Sequence, residues 1–284
     1  MKTPAYYGFW HHLGTWLLKA GSWLVLLFLI LPILVIVPLS FNAEPFFSFT
    51  EGMLTLDPEA YSLRWYREIF SDPKWLLAIK NSFIIGIFST LLATVLGTCA
   101  AVGLARDEMP FRRFVTALLL SPMIVPLIIT AAGMFFFYSD LGLAGGYLGV
   151  ILAHAALGTP FVIITVTATL TGFDYSLARA ALNLGARPVR VFFDVIMPLI
   201  RPGVISGALF AFITSFDEVV VILFMAGPQQ RTIPRQMFSG LREQINPSIL
   251  AIATLLILVS IALLVTIELL RRRAERMRGI EIPH

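Results

Sequence analysis

Long runs of apolar residues without charge, separated by short polar segments, set the pattern of the chain. The first runs from Gly21 to Phe41, with no charge between Lys19 and Glu44, and further uncharged runs cover Asn81 to Ala105, Phe114 to Ser139 and Leu141 to Phe173. Another starts at Pro202, and the last runs from Gln244 to Ile267. About 20 apolar residues cross a bilayer core, so the pattern predicts six membrane helices at about 21–41, 81–105, 114–139, 145–171, 202–226 and 246–268. A polar segment at 174–200 stands apart. In it Leu177, Ala180, Ala181 and Leu184 recur at helical spacing, Gly185 sits where a helix ends and Pro188 where one begins, predicting a helix, a turn and a second helix. Arg179, Arg187, Arg190 and Arg201 surround its apolar face, which makes it a surface for a partner rather than a span.

Composition agrees with the pattern. The 284 residues are 58% hydrophobic and 13% charged, whereas a soluble domain is roughly 45–50% apolar. The fold class expected is an all-α polytopic membrane protein forming a single domain over 1–284. The net charge of +4 follows the topology and does not point to nucleic acid. Six spans place both termini on one side, which then holds fourteen of the Lys and Arg residues against seven on the other. The positive-inside rule puts the termini and the 174–200 segment in the cytoplasm. The loop 227–247, with three arginines and one glutamate, runs against that bias. The first span lacks a small-residue cleavage site after it and reads as a retained signal anchor. Between it and the second span, Asn42 to Lys74 forms an acidic loop with an amphipathic piece around Tyr61 to Phe70. Pro122, Pro126 and Pro160 lie inside spans, where proline frees carbonyls and kinks helices.

The candidate chemistry is sparse. Asp217 and Glu218 interrupt the fifth apolar stretch at SFDEVVVILFMAG, and an ionisable group at membrane depth costs about 2.5–3.5 kcal/mol, which marks it as functional unless it merely meets headgroup water. Neighbours on a helix point about 100° apart, so one of the two is expected to line a pathway, where it favours a cationic solute. Phe216 beside them and Tyr138, at the end of the aromatic run Phe135 to Tyr138, complete the candidate pathway set, with interfacial anchoring the alternative for Tyr138. His154 reads as a packed, hydrogen-bonded histidine, Cys99 as a packing residue and Glu268 as a side chain reaching the inner surface. No metal-ligand spacing is present. The chain has four lysines, none after a glycine, so it contains no phosphate loop, and ATP-driven work would need a separate ATPase.

The segment from Arg179 to Pro198 resembles the EAA loop of the membrane subunits of bacterial ABC importers, whose pattern is E-A-A-x3-G-x9-I-x-L-P. Arg179 takes the Glu position, Ala180, Ala181 and Gly185 match, and Val195-Ile196-Met197-Pro198 stands at the end. Asn81-Ser82 and Leu120-Ser121-Pro122 also look like this family, and the stretch from Ser215 to Pro247 looks like the second permease subunit of the spermidine/putrescine importers. The resemblance implies a type I importer permease fold of six helices in the bacterial inner membrane, with a coupling helix formed by Leu177, Arg179, Ala180, Ala181, Leu184, Gly185, Ala186 and Pro198. It further implies a homologous permease partner in a heterodimer, two copies of a cytoplasmic ATPase carrying ATP and Mg, and an extracytoplasmic substrate-binding protein, with no cofactor on this chain and no enzymatic activity of its own. The implied cargo is a polyamine. The alternatives left open are another small solute (an amino-acid derivative, an opine or a metal chelate) and, in another class, a secondary transporter, though no internal repeat supports the latter.

Overall fold

A computed structural model describes residues 9–106, 108–243 and 247–277. All regular structure among them is helical: α1 (Phe9–Leu39), α2 (Glu51–Leu54), α3 (Arg64–Ser71), α4 (Pro73–Leu104), α5 (Arg112–Ile124), α6 (Leu127–Asp140), α7 (Tyr147–Leu170), α8 (Tyr175–Asn183), α9 (Pro188–Val191), α10 (Met197–Asp217), α11 (Val220–Met225), α12 (Ile233–Glu243) and α13 (Ser248–Met277). Packing groups the described residues into two compact units. The first runs from α1 through Ile69 and includes the opening turns of α13 as far as Ile257; the second runs from Phe70 through α12 and takes the rest of α13.

In the first unit the acidic loop folds on Asn42. Its amide donates to the carbonyls of Phe46 and Ser48, its own carbonyl accepts from the buried Trp65 indole at 2.7 Å, and Ser62 N donates to Phe41 O. The expected amphipathic piece is α3, which buries Trp65 and Ile69.

In the second unit α4, α7 and α10 pack on one another through small residues, the usual means of close approach for membrane helices. A Cβ at Gly97 would lie 2.6 Å from Val162 Cβ, and one at Gly207 would lie 2.8 Å from Val162 Cα.

Two expected spans are corrected. The third, over 114–139, bends by 105° between α5 and α6. Pro126 has no amide hydrogen and forces the residue before it out of the helical region, and Val125 is extended at ψ 136°. Among the described residues, five helical stretches are long and apolar enough to cross a membrane, and six are reached when this bent pair counts as one. The fifth, over 202–226, is not continuous: the helix ends at Asp217, Glu218 turns extended at ψ 122°, and α11 begins at Val220. The apolar helical stretch there starts earlier instead, at Pro188. Pro160 stays inside an unbroken α7.

Candidate functional site

The 174–200 segment is built by local signals. Asp174 caps α8, its carboxylate accepting from Ser176 N at 2.8 Å. Hydrogen bonds from the Ser176 side chain and backbone, helped by the Arg179 charge, hold the Asp174 carboxyl below its usual range. At the other end Gly185 adopts φ +85°. Gly185 N donates to Leu182 O and Ala186 N to Ala181 O, the paired bonds of a Schellman motif that satisfy the last carbonyls of the helix. Pro188 then opens α9.

The second helix of this segment is not a separate piece. α9 continues through a π turn at Phe192–Ile196 into α10, where Met197 N donates to Phe192 O. Pro198, in the first turn of α10, cannot donate to Asp194 O, and the wider turn ahead of it accommodates the missing bond. Arg190 and Asp194 pair at 3.0 Å on the exposed side.

The predicted apolar face of α8 points outward. Leu184 is 89% exposed, Leu177, Arg179 and Ala180 are exposed, and Ala181 is partly covered, while the residue buried against the fold is Ala178. Ala178 was missed because its small side chain carries little signal. Beneath α8 lies a cleft of about 600 Å³ bordered by Thr169, Phe173, Asp174, Leu177 and Ile200.

The two acids have different surroundings. Asp217, the last residue of α10, is exposed. Glu218 is 8% exposed, and its Oε1 accepts from Val220 N at 2.6 Å and Val221 N at 3.0 Å, capping α11. Phe216 packs between Phe83 and Phe212, with ring centroids 5.3 Å away on each side. Tyr138 is half-buried on a core that includes Ile85, Val150, Val221, Ile222 and Met225, so it meets α11 through that core. His154, fully buried in α7, has Nδ1 2.8 Å from Ser215 Oγ of α10. The structure thus places Phe216, Asp217 and Glu218 in succession at one helix break and puts Tyr138 beside the short helix that follows. Ser215 could have been flagged as a hydroxyl two residues before the acids.

Residues 93–276 match the family described as "Binding-protein-dependent transport system inner membrane component". The chain is 31% identical over 255 residues to the spermidine/putrescine transport system permease protein PotC of Haemophilus influenzae, covering 90% of this chain and 96% of that protein. It is 34% identical over 241 residues to the putrescine transport system permease protein PotI of Escherichia coli, covering 81% and 82%. A chain in the crystal structure of a bacterial ABC transporter that imports the acidic polysaccharide alginate superimposes with a TM-score of 0.74 at 18% identity, covering 94% of this chain and 99% of that one, a likeness of fold.

Proposed function

This chain belongs to the family of binding-protein-dependent transport system inner membrane components, and from that premise we propose that it forms half of an import pathway for polyamines of the putrescine and spermidine type. The observation that carries the cargo is the helix break at Asp217 and Glu218. It sets an exposed carboxylate at the end of α10, where the free carbonyls of a helix C-terminus add negative potential. A cationic amine is the solute that such a break attracts. The names of the two relatives above, both polyamine permeases, support the same cargo.

In this reading Asp217 contacts the amine, Glu218 builds the break by capping α11, and Phe216 and Tyr138 line its sides. The 174–200 segment faces the cytoplasm, as do both termini. Leu177, Arg179, Ala180, Ala181, Leu184, Gly185, Ala186 and Pro198 form the coupling surface for a separate ATPase that carries ATP and Mg. The exposure of Leu184 and the outward set of the α8 face support that role. The complete transporter adds a homologous permease subunit in a heterodimer, a second ATPase copy and an extracytoplasmic binding protein. Because α9 runs through the π turn into α10, one continuous helical stretch of 30 residues, Pro188–Asp217, connects the coupling surface to the acidic break. At 1.5 Å per residue that is about 45 Å.

Uptake of radiolabelled putrescine by cells making the whole transporter tests the cargo. Asp217→Asn is expected to abolish most of it, and unchanged uptake contradicts the charge argument. A second reading keeps the machinery with another solute, because the fold shared with an alginate importer does not by itself set the cargo.

A further inference from the structure

We infer that Asn81 is a positioning residue for the acidic break, acting through α11; the inference rests on the reading of Asp217 as the amine contact. Asn81 lies on the third turn of α4 and is completely buried. Its Nδ2 donates to the carbonyls of Gln229 and Arg231, both at 2.8 Å, and its Oδ1 accepts from the Tyr147 hydroxyl of α7 at 2.7 Å. Two carbonyl partners require the nitrogen on that side, so the network fixes the orientation of the amide. The next residue continues the grip: Ser82 Oγ accepts from Ile233 N at 2.9 Å, satisfying an amide at the start of α12 that has no partner inside the helix.

The segment so held leads back to the break. Arg235, on α12, donates to Ala226 O at 2.8 Å and Gly227 O at 3.1 Å, and Gly145 N donates to Met225 O at 2.8 Å, so the end of α11 is tied to α12 and to the turn before α7. A helix of six residues does not hold itself together. α11 is fixed at its start by the Glu218 carboxylate and at its end by the segment that Asn81 and Ser82 secure. Asp217 ends α10, three residues before that helix begins. Loosening the far end lets α11 and the break shift, and the carboxylate moves with them.

The test has two arms that fail separately. In the first, Cys99→Ser and Asp217→Cys leave one thiol at the break, and its modification by a membrane-impermeant maleimide is timed in membranes holding the whole transporter. Asn81→Ala and Asn81→Asp, which both remove the amide donors, are expected to change the rate about tenfold, the scale of losing a buried hydrogen-bond partner, and Tyr147→Phe less. Equal rates in all variants overturn the inference whatever the cargo is. In the second arm, with Asp217 restored, putrescine uptake is expressed per assembled transporter. Asn81→Ala is expected to lower turnover about tenfold while KM, set outside the membrane, holds. A loss that tracks only the amount of assembled protein is that of a plain folding role and overturns it too. No putrescine uptake by the parent transporter sinks the cargo proposed above, and the thiol arm still decides the role of Asn81. Where Asn81→Ala does not assemble, Asn81→Asp and Tyr147→Phe carry the same comparisons.

Discussion

Ser215 Oγ lies 2.8 Å from Nδ1 of His154, joining α10 to α7 just ahead of the acidic break. No partner reaches the other ring nitrogen among the described residues, so this contact holds the buried imidazole. Ser215→Ala is expected to cost about 1–3 kcal/mol, the penalty for leaving a buried polar group unpaired, and to lower the melting temperature of the purified complex. An unchanged melt would show that His154 does not depend on Ser215.

Glu218 and Asp217 are separable by substitution. Glu218→Gln keeps an oxygen that can accept from Val220 N and Val221 N, so it is expected to retain most uptake. Glu218→Ala loses the cap, at about 0.5–2 kcal/mol, and is expected to impair uptake more than the glutamine variant does. Equal damage from Gln and Ala would assign Glu218 a charge role instead.

Gly185 has open space around its missing Cβ, so substitution there is limited by its φ of +85° and by whatever docks. Gly185→Val is expected to strain α8 by about 1–2 kcal/mol and to reduce retention of the ATPase on the affinity-purified complex. Asn tolerates this backbone region, so Gly185→Asn should retain more of it. Equal retention by the two variants would remove the turn from the coupling surface.

Arg179 occupies the position where the EAA pattern has Glu, and it is exposed. Against an acidic groove, Arg179→Glu should weaken ATPase association at low salt, with the difference shrinking as salt screens the charges. Association that is unchanged at every salt concentration would leave packing by Leu184 and its neighbours as the grip.

These residues also show what the sequence discloses. The turn of the 174–200 segment is legible because Gly185 and Pro188 are local signals whose effect does not depend on distant contacts. The crossings are legible as charge-free runs, and the bend of α5 against α6 is latent in Val125-Pro126. The division of roles between Asp217 and Glu218 is not legible, because adjacent acids look alike until the backbone shows which one folds over two free amides. Least legible is the grip of Asn81, whose partners at Gln229 and Arg231 lie 148 and 150 residues away. Periodicity carries no information about such pairs.

On the function proposed above, a motor on a separate chain grips the α8 segment and drives an amine past the break at Asp217. The most direct measurement is ATP hydrolysis by the purified whole transporter in lipid, stimulated by its binding protein loaded in turn with putrescine, spermidine and neutral or acidic solutes. Stimulation by the polyamine-loaded forms, abolished by Gly185→Val and left without accompanying transport by Asp217→Asn, is the expected result. Stimulation confined to a neutral or acidic solute, with Asp217→Asn transporting that solute normally, would contradict it.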